Sequence, residues 1–402
     1  MMKLGFPRLL GLVGALAWGL SSVPADPANG PTGNRIEGCV EGYDPTVDYF
    51  PEKARIRHAT GFDIEYRKHY KILTVLTPWP NAKEPFRYVL LQCGTPRSAG
   101  RDGARVIEVP IQTIATLSAT HLSHLQLLDE LASLVAMSDP EWVYSPRIRE
   151  HIASTEVKAI GRGTSLNIET VLDLAPDLVT AVGHDQPQLN AHPVLERAGV
   201  QVVINSEYVE GSALGRAEWL KFTAAFFNKE EMAERRFAEM EKRYASYAAM
   251  TQPIPTEQRP TVLGGALFRD TWHGPGGDSY IARLVHDAGG RYLWAEDSHR
   301  ASIPLSFEVV FDRAADADYW FTGRLEWFTR AGMLAENERY GRFKAFQLGQ
   351  VYNSNARVNH QGANDFWETA VVEPHLLLAD FIKILHPHLL PEHRLRYYRR
   401  LE

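Results

Sequence analysis

The stretch Ser165–Thr180, SLNIETVLDLAPDLVT, has an echo in Ile303–Phe321, IPLSFEVVFDRAADADYWF. Pairing Glu169 with Glu308 also pairs Asp173 with Asp312, and a two-residue insertion in the second copy then sets Asp177-Leu-Val over Asp318-Tyr-Trp. A chain that carries the same acidic helix start twice, each time ahead of a short apolar strand, is built from two related units. Length agrees: 402 residues are more than one ordinary core supports, and 45% hydrophobic residues suffice for a core in each unit. The net charge of −6 is modest and the basic residues are scattered, which excludes the electrostatic footprint of a nucleic-acid protein.

Around the two copies, strands and helices alternate. VIEVPIQTIATL reads as a strand, SATHLSHLQLLDELASL as a helix, and VKAIG, DLVTAVG and VQVVIN as short strands with helical segments between them. The second half repeats the scheme with PTVLGGALF, DSYIARLVHDAG, YLW, FEVVFDRAAD, YWFTG and QVYNSN, and ends in a helix over WETAVVEPHLLLADFIKIL. Strand, helix, strand at this spacing implies parallel sheets covered on both faces. Between the halves, Ala233, Phe237, Met240, Tyr244 and Tyr247 form one apolar stripe at helical spacing, and Asn228 with Glu231 gives that helix a capping-box start. The expected fold class is therefore α/β, two doubly wound lobes joined by a single long interlobe helix, with an N-terminal β-hairpin extension formed by YKILTVL and RYVLLQC.

The N-terminus reads as a secretory signal peptide over 1–25, with Lys3 and Arg8 ahead of the apolar run Leu9–Leu20 and a small-residue site at Val23-Pro-Ala25. Residues 26–103 follow as a loosely ordered leader, Asp26 to about Thr60, and the hairpin; 104–213 form the N-terminal lobe, 214–257 the helical linker and 258–402 the C-terminal lobe. The two cysteines, Cys39 and Cys93, are free to pair in an oxidising compartment. Two cysteines without a CxxC do not make a structural zinc site. Gly274–Tyr280, GPGGDSY, lacks the order of a phosphate loop and reads as a turn leading to a helix capped by Asp278. There is no G-x-S-x-G elbow and no H-E-x-x-H helix.

Asn167 and Ser306 are N-cap residues, so Glu169 and Glu308 each gain about 0.3–1 kcal/mol from the helix dipole without any function. Their recurrence at matching points of both halves asks for more. NIETVLDLAPDLVTA resembles the segment that identifies the N-terminal lobe of the periplasmic substrate-binding proteins of ABC importers for iron–siderophore complexes, vitamin B12 and related chelates. LSFEVVFDRAADADYWF resembles the matching segment of their C-terminal lobe. VPIQTIATLSATHLSHLQLL, GPGGDSYIARLVHDAGGRYLW and GANDFWETAVVEPHLLLADFIKILHP are similar to further stretches, so the resemblance spans about Val106 to Pro391.

The resemblance implies a periplasmic monomer, not an enzyme, that holds a ferric chelate, or alternatively cobalamin or haem, between its lobes. It binds no cofactor covalently, has no metal site of its own, and delivers its ligand to an ABC permease dimer whose ATPase subunits are separate chains. Glu169 and Glu308 then correspond to the rim carboxylates that dock on the permease. Ligand crevices form beyond the carboxyl ends of parallel strands. Applied here, that rule selects Thr120, His121, Tyr144, Arg147, Arg162 and His184 in the first lobe. In the second it selects Trp272, His273, His299, Arg300, Arg324 and Trp327, with Asn364, Asp365 and Trp367 in the last loop. Aromatics and arginines suit a bulky anionic chelate. Direct metal ligation by His121 and His124 is the weaker reading, and a two-lobed sensor or a hydrolase using the cleft is the alternative function.

Overall fold

The computed structural model describes residues 32–97 and 104–402, so the expected signal peptide lies outside the described residues. Four sheets organise the chain. The first contains β1 (Phe62–Tyr66), β2 (Tyr70–Val75), β3 (Phe86–Gln92) and β4 (Arg105–Val109) in that spatial order. β2 and β3 are the expected hairpin, extended by antiparallel β1 on one side and parallel β4 on the other.

The second sheet is fully parallel: β5 (Ile114–Thr116), β6 (Leu134–Met137), β7 (Lys158–Ala159), β8 (Leu178–Ala181) and β9 (Val202–Ile204), in the order β7-β6-β5-β8-β9. Its residues alternate between two cores, as the two-residue strand period requires. Ile114, Leu178 and Val203 pack toward the first sheet, and Ala115, Val179 and Val202 pack on the opposite face. Its helices are α1 (Leu122–Leu127), α2 (Pro146–Thr155), α3 (Ile168–Leu174) and α4 (His192–Arg197).

Two helices follow, α5 (Ala213–Phe227) and α6 (Glu230–Thr251). The long helix is present with Ala233, Phe237, Met240 and Tyr244 buried, but α5 precedes it and is buried along almost its whole length. Asn228 does not start α6. It ends α5 in the left-handed conformation, φ 57°, which asparagine tolerates, and its side chain accepts from Lys71 Nζ and donates to Gln92 Oε1.

The last two sheets interleave. β10 (Thr261–Gly264), β13 (Arg291–Tyr292), β15 (Tyr319–Thr322), β16 (Val351–Asn353) and β17 (Arg399–Arg400) run in the order β13-β10-β15-β16-β17, parallel except for β17. β11 (Ala266–Phe268), β12 (Thr271–Pro275) and β14 (Ser302–Leu305) make a small antiparallel sheet. Their helices are α7 (Tyr280–Asp287), α8 (Phe307–Ala314), α9 (Arg330–Glu336), α10 (Lys344–Gln347) and α11 (Pro374–Leu385). One apolar cluster from β10 to Leu401, joined by Ala213 of α5 and Tyr244 of α6, fills this half.

Two expected strands are split, each for a backbone reason. VIEVPIQTIATL breaks at Pro110, whose missing N–H cannot continue the ladder, so β4 and β5 belong to different sheets. PTVLGGALF breaks at Gly265, φ +90°, where an added Cβ would sit 2.1 Å from the His273 carbonyl. Helix caps follow expectation at Asn167, whose side chain accepts from Thr170 N–H, and at Ser306, which accepts from Val309 N–H. Ser279, not Asp278, caps α7.

The leader is not loose where it is described. Phe50 is fully buried, and residues 55–61 run along a row of glutamates: Glu234 accepts from Arg55 N–H, Glu218 from Arg57, His58 and Ala59, and Glu210 from Thr60 and Gly61. Charge-assisted bonds of this kind are about twice as strong as neutral ones. The Cys39–Cys93 disulfide is formed and ties the start of this segment to the end of β3, Cα to Cα 4.8 Å.

Candidate functional site

A cavity of about 440 Å³ opens between the two halves. The carboxyl ends of β10, β15 and β16 reach it through Gly265, Thr322 and Ser354, as the crevice rule for parallel sheets requires. Tyr208, just beyond β9 in the first half, and Arg216 on α5, between the halves, complete it. Its apolar faces come from Tyr280, Ile281, Phe321, Phe366, Trp367 and Tyr398. Among the described residues no carboxylate lines it; two arginines, Arg216 and Arg300, and the imidazole of His273 stand on its wall.

Arg216 is nearly buried and spends one edge of its guanidinium on Glu207, with Nε and Nη2 both donating to Glu207 Oε2 at 2.9 and 2.7 Å. The guanidinium carbon lies 4.5 Å from the Tyr280 ring centre. Burial acts to raise the pKa of Glu207, but the charge and hydrogen bonds of Arg216 outweigh it, and the carboxyl ends below its ordinary value. Burial pushes the Tyr208, Tyr280 and Tyr398 phenols up, so all three are neutral donors at physiological pH. The cavity therefore combines flat apolar walls with positive charge and neutral hydroxyls, a lining that receives an anionic ligand with an extended apolar face.

Of the residues selected from sequence, His273, Arg300 and Trp367 line this cavity. Five others are corrected to structural roles. Trp272 is fully buried in β12, donating Nε1–H to the Gly264 carbonyl, and Trp327 is buried with its Nε1–H on Glu336. His121 is buried with Nδ1 against Thr180 Oγ1, and burial lowers its pKa to about 4. His124 is equally enclosed, on Thr223, so neither histidine faces the cleft or solvent. Among the described residues no group of three or more His, Cys, Asp or Glu is placed to hold a metal ion. Asn364 bonds the Ser354 carbonyl and Asp365 pairs with Arg357, which shapes the loop presenting Phe366 and Trp367.

The rest lie away from the cavity wall. Thr120 is half-buried and bonded to Ser118. Arg147 is exposed on α2, and Arg162 is exposed with its guanidinium 5.9 Å from the Trp142 ring centre. His184 is half-buried in a loop held by Asn190, and His299 is exposed and pairs with Asp297. Arg324 pairs with Glu336 and lies 5.6 Å from the Trp327 ring centre. Tyr208, Arg216, Tyr280, Phe321, Phe366 and Tyr398 line the cavity without having been selected from sequence; Tyr208 and Phe321 lie at strand ends that the same rule covers, whereas Arg216 sits within a helix that carries no such signal.

Tyr144 belongs to a latch instead. Its N–H and that of Ser145 donate to the carboxylate of Glu368 at 2.7 and 3.0 Å, and Ser123 Oγ–H donates to the Glu368 carbonyl. This bond set ties the loop before α2 to the loop before α11. Burial lifts the Glu368 pKa to about 7 against the two N–H groups, and the charge of Asp365 adds to the rise. Between about pH 4.5 and 7 the folded chain therefore keeps a proton that the unfolded chain has released. The stabilisation from this group is complete below the lower value and lost as pH rises through the upper one, up to about 3 kcal/mol. Thermal melts at pH 5 and pH 8 are expected to show this as a slope that Glu368→Gln flattens; an unchanged slope would remove Glu368 as its source.

A family model described as periplasmic binding protein matches residues 114–358, more than half of the chain. An uncharacterized lipoprotein of Methanocaldococcus jannaschii is 25% identical over 298 residues, covering 71% of this chain and 68% of that protein. A second uncharacterized lipoprotein of the same organism is 25% identical over 327 residues, 79% and 80% of the two chains. Among solved structures, a possible iron-binding periplasmic solute-binding protein of Staphylococcus epidermidis superposes with a TM-score of 0.54 at 14% identity, covering 69% of this chain and 99% of that one. A periplasmic heme-binding protein of Pseudomonas aeruginosa gives 0.52 at 18%, covering 69% and 94%. At such identities the superpositions establish the fold, two α/β lobes of the class III kind. With the family match across both halves, the fold and the cleft between them, the chain belongs to the periplasmic binding proteins.

Proposed function

We propose that this chain is the substrate-binding component of an ABC importer, that it captures an iron chelate in the cleft between its halves, and that it delivers the chelate to a membrane permease. The observation that carries the reading is the composition of the cleft: aromatic walls, two arginines, a histidine and no carboxylate. A ferric siderophore with carboxylate or catecholate oxygens places its anionic groups on Arg216 and Arg300 and its ring faces on Tyr280 and Trp367. Haem and cobalamin are the other ligands of this shape class. A resident metal site plays no part; the iron arrives inside its chelate.

Docking rests on Glu169 and Glu308. Both are exposed, at the second position of α3 and α8, and each shares its helix with an exposed apolar residue, Leu172 and Val309. Exposed carboxylates beside apolar area make a rim that fits a basic partner surface. The two Methanocaldococcus relatives are called lipoproteins. In this chain Cys39 is occupied by its disulfide, so a lipid anchor on that thiol is not part of the proposal.

Trp367 tests the site. It is 45% exposed on the cavity wall, so its removal leaves the core intact. Trp367→Ala is expected to weaken chelate affinity by about 1–3 kcal/mol without lowering the melting temperature. Equal affinity in the variant would move the ligand off this wall.

A further inference from the structure

The N-terminal extension touches the backs of two cleft residues, one in each half. On one side, Arg300 leaves the loop before β14 and passes Gly211, and its Nη1 donates to Thr60 Oγ1 at 3.0 Å. The Thr60 hydroxyl gives its own proton to Glu210 at 3.1 Å. A hydroxyl has one proton, so bonding to Glu210 turns its lone pairs toward Arg300. Glu210 itself is fixed: it is 3% exposed and also accepts from Thr60 N–H, Gly61 N–H and Trp219 Nε1–H. Arg300 is thus aimed by a chain of three groups, of which the first is buried and rigid.

On the other side, the loop between β2 and β3 packs against the backbone that holds Tyr208. Ser206 Oγ–H donates to the Pro78 carbonyl, and a Cβ at Gly183 would meet that carbonyl at 2.3 Å and the Trp79 ring at 2.8 Å. The Gly183 carbonyl accepts from Tyr208 OH at 2.7 Å. Trp79 in turn stacks on His192.

We propose that the extension is part of the binding apparatus, with Thr60 as the positioning residue that holds Arg300 toward an anionic group of the ligand. The proposal rests on the reading of the cleft as the ligand site. Thr60→Val keeps the side-chain shape and removes both bonds, whereas Thr60→Ser keeps the hydroxyl. Affinity is read by tryptophan quenching with two named probes, ferric citrate and haemin. Thr60→Val is expected to weaken the probe that binds by about tenfold, Thr60→Ser to restore it, and Thr60→Val to add nothing in an Arg300→Ala background. A purely structural role would cost the same in both backgrounds and would overturn the proposal, as would unchanged affinity in Thr60→Val.

A second readout needs no ligand. The loop that carries Arg300 accepts from Gly276 and Asp278 N–H through the Ala301 and His299 carbonyls. Hydrogen exchange across residues 276–282 is expected to quicken in Thr60→Val and not in Thr60→Ser. Equal exchange in all three proteins would overturn the positioning role. If neither probe quenched the wild type, the choice of ligand would fail, and the exchange data would still decide the role of Thr60.

Discussion

Glu169→Arg combined with Glu308→Arg is expected to abolish uptake while leaving ligand affinity within twofold of wild type. Neither carboxylate touches the cleft. Glu169 is exposed, and Glu308 is 76% exposed with its nearest cation, Arg339, 3.7 Å away. Their loss costs the dipole contribution at two helix starts, about 0.3–1 kcal/mol each, because the caps themselves belong to Asn167 and Ser306. A single exposed ion pair contributes only about 0.2–1 kcal/mol, but on the proposed docking a positive charge set opposite a basic partner surface would be repulsive at both contacts at once. Uptake of a radiolabelled ferric chelate by cells carrying the cognate permease measures it. Transport at the wild-type rate would refute docking through these helices.

The largest effect on stability is expected from the buried pair Lys71–Glu230. Both side chains are fully buried, on β2 and at the first position of α6, and so join the extension to the helix between the halves. Lys71 Nζ also donates to the Ala225 carbonyl and Asn228 Oδ1, and lies 4.5 Å from the Phe50 ring centre. Glu230 accepts further from Asn34 Nδ2. Burial pulls the Lys71 pKa below its ordinary value even with Glu230 beside it, so the pair is held at a desolvation cost. Glu230→Ala strands the cation and is expected to cost about 3–5 kcal/mol. Replacing both partners, Lys71→Met with Glu230→Leu, is expected to recover most of that loss. Urea unfolding followed by circular dichroism separates the cases; a single variant as stable as wild type would mean that the pair does not hold the extension in place.

Much of this fold is legible in the sequence because periodicity survives in it. The strands β8, β9, β15 and β16 and the helices α3, α6 and α8 fall where apolar spacing puts them. The cap residues Asn167 and Ser306 act as their chemistry predicts, since a cap is a local matter. What the sequence hides is non-local. The leader looks disordered by composition, and the row Glu210, Glu218 and Glu234 that takes the N–H groups of Arg55 and residues 57–61 lies some 150 residues or more downstream. Asn228 carries equal signals for ending one helix and starting the next.

The site shows the same division. The strand-end rule selected His273, Arg300 and Trp367, which line the cavity, and also Trp272 and Trp327, which do not, because position along the chain does not tell a cavity tryptophan from a core one. Trp272 became core once Gly265 turned the chain into a second sheet. Arg216 was invisible because its helix is buried on nearly every side, its other charged residues Glu218 and Lys221 included, and the partner Glu207 compensates the guanidinium there.

The central claim, a cleft that binds an anionic chelate, is tested most directly by titrating the mature protein with ferric siderophores, haemin, cobalamin and free metal ions while following tryptophan fluorescence. The account predicts saturable quenching by one chelate at sub-micromolar concentration, carried by Trp367 and lost in Trp367→Phe, with no response to free metal. Saturation by a free metal ion alone, or no quenching by any member of the panel, would contradict it.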